Sequence, residues 1–512
     1  MSHKDGLIRA TPESHKTDPA IILTVLDEIE RAGIEMHSLL VWHDGALITE
    51  AYWAPYGPER LHMMHSVTKS FTSMAVGLAI EDGKLNLTDR VIDFFPEFEN
   101  SAASGIEAMQ IRHLLTMTSG HACGISGGSW RKLKTSWVED FLKQPIVYAP
   151  GEVFVYDSAC SYVLSAIVQR VLGRTVHDDL TDRVFTPLQM SPDIRWDQSP
   201  EGINSGGNGL TCRTSDLLKL GILHLQHGKW NGDQVLPENW AKAATGMQLR
   251  DVSLGVLTGE HYLGPDESVG DAAPERREGY GYQWWRGPHD SYAATGLFGQ
   301  ACIVLPNERA VIAFTAGMDD NDRRFHGLIH DVLRPALGTW DKPDLPDRIN
   351  MLELCPSPAE SWSHAPQNWA GTYTTEPNDQ GIISLRLEQS GRDIVFVLED
   401  HRGVHRIQAG LGHRVESITT MTGARLHHAY EPDAGFAVAA WAAWSEKDDD
   451  GWHILTFDWA FIETAFRDTV RCKLRNGKLR MFRQVNVNSS ILSLPEIKGH
   501  LSQNARQKET AS

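Results

Sequence analysis

The stretch His65-Ser66-Val67-Thr68-Lys69-Ser70-Phe71-Thr72-Ser73-Met74-Ala75-Val76-Gly77-Leu78-Ala79-Ile80-Glu81-Asp82-Gly83 predicts a helix that begins near Ser66. Its larger apolar residues recur at helical spacing and would lie on one face of the helix. Asp82-Gly83 ends the pattern, because glycine readily takes the left-handed conformation that closes a helix. Ser66 occupies the position of an N-cap or first-turn residue.

Ser66 and Lys69 form an S-x-x-K motif, and a helix places their side chains on the same face because they are three residues apart. A serine hydroxyl is a weak nucleophile until a base takes its proton, and a neutral amine one turn away can be that base. The helix N-terminus adds free N–H groups and partial positive charge where an oxyanion would form. The pair is therefore a candidate nucleophile and base.

Two other serines fit nucleophile patterns. Ser129 and Lys132 repeat the S-x-x-K spacing, but the uninterrupted apolar helix distinguishes Ser66 from them. Gly124 to Gly128 matches the G-x-S-x-G elbow of α/β-hydrolases around Ser126, and that motif requires a strand before it and a helix after it. A predicted helix and a Ser-Gly turn precede this match, so the elbow is the weaker interpretation.

The composition is that of a globular protein without nucleic-acid or membrane partners. The 512 residues suffice for two or three domains, and 41% of them are apolar and 22% charged. The net charge of −18 disfavours binding to nucleic-acid backbones and to anionic membrane surfaces. No apolar run approaches the roughly 18 residues that span a bilayer. Because the N-terminus also lacks the apolar region of a signal peptide, we expect a cytoplasmic protein.

The six cysteines and 23 histidines indicate neither a disulfide framework nor a metal site. The cysteines are widely scattered and include no C-x-x-C pair, which favours free thiols. The histidines include no H-E-x-x-H motif. We therefore expect no metal ion and no cofactor.

The order of the segments predicts an α+β region followed by an all-β region. Residues 1–20 form a polar lead, and residues 21–340 combine helices with antiparallel strands, which suggests a sheet sandwiched by helices. Clustered prolines in residues 341–366 indicate a linker. Residues 367–490 contain paired strand-like segments, typical of a barrel or curled sheet. Residues 491–512 form a polar tail.

Several segments of residues 21–340 together resemble the serine β-lactamase-related hydrolases. That family includes class C β-lactamases, penicillin-binding carboxypeptidases, D-aminopeptidases, related esterases and nylon-oligomer hydrolases. The order and spacing of six segments carry the resemblance: Ser66-Val67-Thr68-Lys69, Leu114-Leu115-Thr116-Met117-Thr118-Ser119-Gly120, Tyr156-Asp157-Ser158, Gly207 to Leu217, Gly279-Tyr280-Gly281-Tyr282 and Ala294-Thr295-Gly296-Leu297. The resemblance implies a β-lactamase-like antiparallel sheet between helices, beside a helical subdomain. The C-terminal region resembles the lipocalin-like barrels appended to some D-aminopeptidase relatives.

The resemblance also implies roles for individual residues. Ser66 would be the nucleophile and Lys69 its base, and Tyr156 would relay the proton to the leaving group. The backbone N–H groups of Ser66 and Leu297 would form the oxyanion hole. The residues implied to bind substrate are Ser158, Ala294, Thr295 and Gly296.

Two positions depart from the family pattern. Ser158 stands in the place of an asparagine, and Ala294 in the place of a lysine or histidine. Because that cation grips the carboxylate of β-lactams, its loss disfavours β-lactamase and carboxypeptidase activity and favours an ester or a neutral amide substrate. Arg286, His289 and His65 are candidates to replace the cation, and a surface role is as plausible for each.

The sequence thus predicts a serine hydrolase that cleaves a small ester, amide or peptide through a Ser66 acyl-enzyme. The alternative is a catalytically silent binding or sensor protein with the same fold, an interpretation motivated by the missing cation at Ala294. No oligomeric state follows from the sequence.

Overall fold

The computed structural model divides the chain into two compact units, Met1–Leu352 and Glu353–Ser512. It describes residues 5–122, 124, 132–250, 252, 257–258, 261–262, 278–319, 324–339, 352, 354, 365–432 and 435–502. Most of the predicted linker, and the alternative nucleophiles Ser126 and Ser129, lie outside the described residues. Within the described part of the chain, no helix combines the length and the apolar character needed to cross a membrane.

The first unit combines short and long strands with helices. Its described strands are β1 (Met36–His43), β2 (Ala46–Tyr52), β3 (His62–Met63), β4 (Arg195–Trp196), β5 (Leu210–Cys212), β6 (Lys229–Trp230), β7 (Asp233–Gln234), β8 (Leu257–Thr258), β9 (His261–Tyr262), β10 (Gly279–Tyr280), β11 (Trp285–Arg286), β12 (Tyr292–Gly296), β13 (Gln300–Leu305) and β14 (Ala310–Ala316). Its described α-helices are α1 (Pro19–Arg31), α2 (Thr68–Glu81), α3 (Ile111–Leu115), α4 (Trp137–Lys143), α5 (Ser158–Leu172), α6 (Val176–Leu180), α7 (Thr214–Leu225), α8 (Glu238–Thr245), α9 (Arg324–Gly327) and α10 (Arg334–Ala336).

A seven-stranded antiparallel sheet in the order β10-β11-β12-β13-β14-β1-β2 forms the centre of this unit. The hairpin of β1 and β2 completes a sheet whose other strands come from the end of the unit, because β1 pairs with β14 as well as with β2. Helices cover both faces. On one face α7 packs so closely on β13 that a Cβ on Gly221 would lie 2.5 Å from the sulfur of Cys302. On the other, Phe325 of α9 packs edge-on against Phe314 of β14. The predicted sandwich is confirmed.

The second unit is a β-barrel. Its strands are β15 (Gly371–Thr375), β16 (Ile382–Ser390), β17 (Asp393–Asp400), β18 (Gly403–Leu411), β19 (Val415–Thr419), β20 (Phe436–Ser445), β21 (His453–Phe461), β22 (Arg467–Arg475), β23 (Lys478–Val485) and β24 (Ile497–Leu501). They follow one another in the order β18-β17-β16-β15-β24-β23-β22-β21-β20-β19. A parallel pairing of β18 with β20 closes the sheet and leaves β19 outside the ring. Buried aromatic rings of Phe396, Phe457 and Trp459 fill the interior.

Both terminal segments, predicted as a polar lead and a polar tail, contain ordered structure. The predicted polar tail, residues 491–512, contains β24, which pairs with β15 and β23 and joins the two ends of the barrel module. In the predicted polar lead, residues 1–20, Leu7 is buried and Arg9 pairs with both Asp5 and Glu50. The sequence prediction failed because main-chain pairing and ion pairs can order a segment that has no apolar periodicity.

Two predicted strands are shorter than expected. The sequence pattern predicts one strand from Tyr292 to Gln300, but the strand ends at Gly296, since Phe298 and Gly299 have φ angles of 70° and 94°. The sequence pattern also predicts a strand at Glu278–Trp285, which is instead a hairpin of β10 and β11 with Gln283 at φ 66° in its turn. In both places a left-handed residue turns the chain, and the sequence pattern does not reveal a left-handed residue other than glycine.

Candidate active site

Ser66 lies in a 3-10 turn, His65–Val67, that leads directly into α2. The N-cap of α2 is Val67, so Ser66 does not cap the helix and its hydroxyl faces Lys69 instead. Helix α2 is buried along Thr68–Ala79, which corrects the prediction of a single apolar face. The candidate nucleophile therefore lies in the 3-10 turn before α2, and the candidate base lies in the first turn of α2.

The Lys69 ammonium group has three acceptors, one for each of its N–H bonds. Its Nζ lies 2.9 Å from Ser66 Oγ, 3.1 Å from Ser158 Oγ and 2.7 Å from the carbonyl oxygen of Gly207. Only 1% of Lys69 is exposed. The predicted proximity of Ser66 and Lys69 is therefore present in the structure. Ser158, which the resemblance placed against substrate, contacts Lys69.

The carbonyl that holds Lys69 belongs to a Gly206-Gly207 segment wedged between α2 and α5. A Cβ on Gly207 would lie 2.4 Å from the carbonyl oxygen of Ser158, and one on Gly206 would lie 2.2 Å from that of Ser161. Neither distance is compatible with a real side chain. Two glycines are therefore required for the main chain to reach Lys69.

The Tyr156 ring lies beside the Lys69 ammonium group, with 4.8 Å between Nζ and the ring centroid. On its other side the ring stacks on Trp285 of β11, with centroids 5.3 Å apart and an interplanar angle of 22°. The next residue, Asp157, is the N-cap of α5 and accepts a hydrogen bond from the N–H of Ala159. The cap and the stacking together hold the Tyr156 ring beside Lys69.

The end of β12 packs against the turn that carries Ser66. A Cβ on Gly296 would lie 2.2 Å from the carbonyl oxygen of Met64. The ring of Phe298 contacts His65 edge-on, with centroids 5.4 Å apart. Leu297 thus lies between two residues that contact the Ser66 turn.

At position 294, where the family has a cation, this chain has a small apolar side chain that packs within the sheet. Ala294 is 2% exposed and pairs with Cys302 across the sheet, and its neighbour Thr295 pairs with Ala301. These positions offer no charged group to a substrate. The nearest strand with a basic residue is β11, which carries Arg286.

The three candidate replacements for the cation lie in different places. Arg286 donates to the carbonyl of Thr245 at 2.9 Å and pairs with Asp290. His289 lies in a 3-10 turn, its ring centroid 6.3 Å from that of His330. His65 directly precedes Ser66 and is 3% exposed. Among the three, His65 alone is adjacent to the nucleophile in sequence.

Comparison with known proteins agrees with the geometry. The family model described as Beta-lactamase matches residues 26–331. The 6-aminohexanoate-dimer hydrolase of Paenarthrobacter ureafaciens is 24% identical over 342 residues, which cover 63% of this chain and 84% of that protein. An uncharacterized protein of Alkalihalophilus pseudofirmus is 24% identical over 57% of this chain and 87% of its own.

A solved structure from Bacteroides dorei, described as a candidate β-lactamase, has the same fold. It superimposes with a TM-score of 0.50 at 15% identity, over 62% of this chain and 99% of that chain. Because the family model spans more than half of the sequence, the resemblance expected from the sequence motifs is confirmed. The protein belongs to the β-lactamase family and is a serine hydrolase of that family.

Proposed function

We propose that the protein cleaves an ester or a neutral amide of a small molecule through an acyl-enzyme on Ser66. The observation that carries the proposal is the 2.9 Å contact between Ser66 Oγ, in the 3-10 turn before α2, and Nζ of Lys69, which is buried in the first turn of α2. A neutral amine in contact with a serine hydroxyl can act as the general base that activates the serine.

The surroundings of Lys69 orient its lone pair. The carbonyl oxygen of Gly207 can only accept a hydrogen bond, so one N–H of Lys69 is committed to it. A second N–H serves the hydroxyl of Ser158. In the neutral amine the remaining position is the lone pair, and it faces Ser66 Oγ. This arrangement supports Lys69 as the group that accepts the serine proton.

In the acylation step, the proton of Ser66 passes to the leaving group by way of Lys69 and Tyr156. Ser66 Oγ forms a bond to the substrate carbonyl carbon while its proton moves to Lys69. The backbone N–H groups of Ser66 and Leu297 would stabilise the oxyanion, and such a donor contributes about 3 kcal/mol. Tyr156 gives its proton to the leaving group as the old bond breaks and regains a proton from Lys69, whose Nζ lies 4.8 Å from the Tyr156 ring centroid. Water releases the acyl group as an acid, and Ser66 recovers its proton.

The polar groups around the site support a substrate without a carboxylate at the place where β-lactams carry one. Ala294 supplies no charge, and Arg286 is occupied by Thr245 and Asp290. Among the described residues, neither position 294 nor Arg286 would therefore compensate the desolvation of a β-lactam carboxylate. The named activity of the Paenarthrobacter relative, hydrolysis of the 6-aminohexanoate dimer, makes that dimer a suitable first amide to test.

Covalent labelling tests the proposal and requires no natural substrate. We expect a fluorophosphonate to label the wild-type protein on Ser66 and to leave Ser66→Ala unlabelled. Lys69→Ala should label at least about 100-fold more slowly, because general-base catalysis contributes about 10²–10⁴-fold. The matched control is Ser73→Ala, which removes the hydroxyl of a buried serine of α2 and should label like the wild type. Labelling that persists in Ser66→Ala would contradict the assignment.

A substrate panel then distinguishes the bond types. We expect turnover of short-chain p-nitrophenyl esters or of amides, tested with an uncharged amide, D-amino-acid amides and the 6-aminohexanoate dimer, and little or none of a chromogenic cephalosporin. Rapid turnover of the cephalosporin alone would show that another group replaces the missing cation, and the proposed substrate class would be wrong.

A further inference from the structure

We propose that Gln283 is a positioning residue for the acylation of Ser66: it holds the helix that carries Lys69 and the helix that carries Ser158 in register with each other. The inference rests on the function proposed above. Gln283 lies in the turn between β10 and β11 and is 2% exposed. It lies in the segment that follows the sequence motif Gly279 to Tyr282 but was not itself among the predicted site residues.

The carboxamide of Gln283 joins two helices. Its Nε2 donates to the carbonyl oxygens of Leu114 at 3.1 Å and Leu115 at 2.8 Å, at the end of α3. Its Oε1 accepts a hydrogen bond of 2.5 Å from the hydroxyl of Ser161 on α5. Ser161 lies one helical turn after Ser158, the residue that contacts Lys69.

The main chain of Gln283 joins the same turn to α2. Its carbonyl oxygen accepts a hydrogen bond of 2.7 Å from the hydroxyl of Ser70, the residue after Lys69. Its N–H donates to the carbonyl of Leu115 at 3.2 Å. One buried residue therefore connects α2, α3 and α5 through both its backbone and its side chain.

The backbone conformation indicates that the carboxamide is the reason for glutamine at this position. Gln283 has a φ of 66°, in the left-handed region that glycine adopts without steric cost and other residues adopt with strain. Glycine would fit the turn but would remove every side-chain hydrogen bond to α3 and α5. Glutamine keeps both the turn and these bonds.

The contacts of Gln283 affect those reactive groups whose relative positions depend on more than one helix. Helix α2 alone sets the distance from Ser66 to Lys69, because both residues belong to its first turn and the turn before it. The contact of Lys69 with Ser158 depends on how α2 lies against α5. The phenol of Tyr156 stacks on Trp285, two residues after Gln283. Small displacements of such groups lower reaction rates steeply.

Three variants of the full-length protein test the role. Gln283→Gly keeps the left-handed turn and removes the carboxamide. Ser161→Ala removes one partner of the carboxamide and leaves Gln283 unchanged. Ser73→Ala is the matched control, because the Ser73 hydroxyl joins α2 to the same hairpin through the carbonyl of Tyr282 at 2.8 Å but lies one turn beyond Ser70.

The readout is Ser66 labelling by a fluorophosphonate, measured as the maximal rate and the half-saturating concentration, with thermal unfolding measured in parallel. For Gln283→Gly we expect at least a tenfold lower maximal rate and less than a twofold change in half-saturation. Ser161→Ala should lower the maximal rate in the same direction, and the double variant should be no slower than Gln283→Gly. Ser73→Ala should lower the melting temperature but retain the wild-type rate.

Each result decides between the two proposals. A labelled wild type with rates within twofold in Gln283→Gly and Ser161→Ala would overturn the positioning role and leave the proposed function standing. An equal rate loss in Ser73→Ala would also overturn it, since the effect would then follow stability alone. A wild type that is not labelled at Ser66 would overturn both. Should Gln283→Gly fail to fold, Ser161→Ala decides.

Discussion

Lys69 is surrounded by a carbonyl, the hydroxyl of Ser158 and the hydroxyl of Ser66, and each occupies one of its hydrogen-bonding positions. The amine is almost completely buried, so water does not compete for these positions. Its orientation is therefore fixed by the fold before any substrate arrives. Such preorganisation is a large part of what an enzyme site contributes.

Tyr156→Phe separates the packing of the phenol from its proposed proton transfer. The ring would still stack on Trp285 and contact Lys69, so we expect a melting temperature close to that of the wild type. A leaving group that departs without a proton needs no acid, whereas an amine does. Turnover of a p-nitrophenyl ester should fall less than about tenfold and that of an amide about 10²-fold or more. Equal losses on both substrates, measured by steady-state kinetics, would contradict the role.

At this scale the sequence predicts contacts that lie within one helix. The spacing of Ser66 and Lys69 sufficed, because three residues along a helix bring two side chains together. The carbonyl of Gly207 and the carboxamide of Gln283 reach the site from segments far away in the chain, and no local spacing indicates where a carbonyl points. The family motif included Gly207 without revealing that its oxygen holds the lysine.

Helix α2 shows why amphipathic patterns underestimate burial. Its apolar residues mark one face, yet its other faces are buried as well. The hydroxyls there are satisfied by carbonyls of neighbouring segments: Ser70 by Gln283, Thr72 by Gly206 and Ser73 by Tyr282. Small hydroxyl residues look polar in the sequence but can be buried at low cost when a carbonyl is within reach.

Gly77→Ala tests the packing of α2. Alanine in a helix interior normally stabilises by about 0.5–1 kcal/mol relative to glycine. Here a Cβ would lie 2.3 Å from the ring of Trp240 on α8, and overpacking of this kind costs about 1–3 kcal/mol. We expect the variant to be less stable in urea unfolding. The matched control Gly327→Ala, whose Cβ would meet nothing closer than 3.8 Å, should be neutral or stabilising. A stabilised Gly77→Ala would contradict the packing.

Among the strands, those with alternating or continuous apolar residues and a short turn were predictable. The sequence pattern predicts strands at residues 38–42 and 46–53 and at residues 382–389 and 394–398, and the pairs β1 with β2 and β16 with β17 confirm them within a few residues. Strand β24 was missed because its five residues, Ile497–Leu501, show too short a pattern and owe their place to pairing with β15 and β23. Such a strand is stabilised by its neighbours in the sheet, and the local sequence does not reveal these neighbours.

The barrel unit has a buried charged group of its own. Asp468 is fully buried and accepts hydrogen bonds from Arg483 Nε at 2.6 Å and His427 Nε2 at 2.7 Å. Burial alone would raise the pKa of Asp468, but Arg483 and His427 outweigh it and hold the pKa below its ordinary value. A carboxylate of this kind contributes stability above its unfolded pKa of about 3.9, and the contribution is lost as the pH falls through the lower folded value.

Asp468→Asn should therefore destabilise the protein in a pH-dependent way. At pH 7 it leaves Arg483 buried without its counter-charge, which costs about 3–5 kcal/mol. Below about pH 4 the unfolded wild-type carboxylate becomes protonated first, so the difference in stability between the wild type and Asp468→Asn should shrink until the pH reaches the lower folded pKa. Urea unfolding followed by tryptophan fluorescence at pH 7 and pH 3 measures both. Asp379→Asn, from the exposed pair of Asp379 with Arg425, is the control and should change little. A difference that grows in acid would contradict the interpretation.

The oxygen that orients Lys69 belongs to the peptide backbone, so a substitution at position 207 does not remove the atom itself. Substitutions elsewhere around the site can therefore change the substrate preference while Lys69, the proposed proton acceptor, keeps its orientation. Lys69 loses that orientation only if the main chain shifts, so laboratory evolution of this enzyme should tolerate few substitutions at the two glycines that permit this course of the main chain.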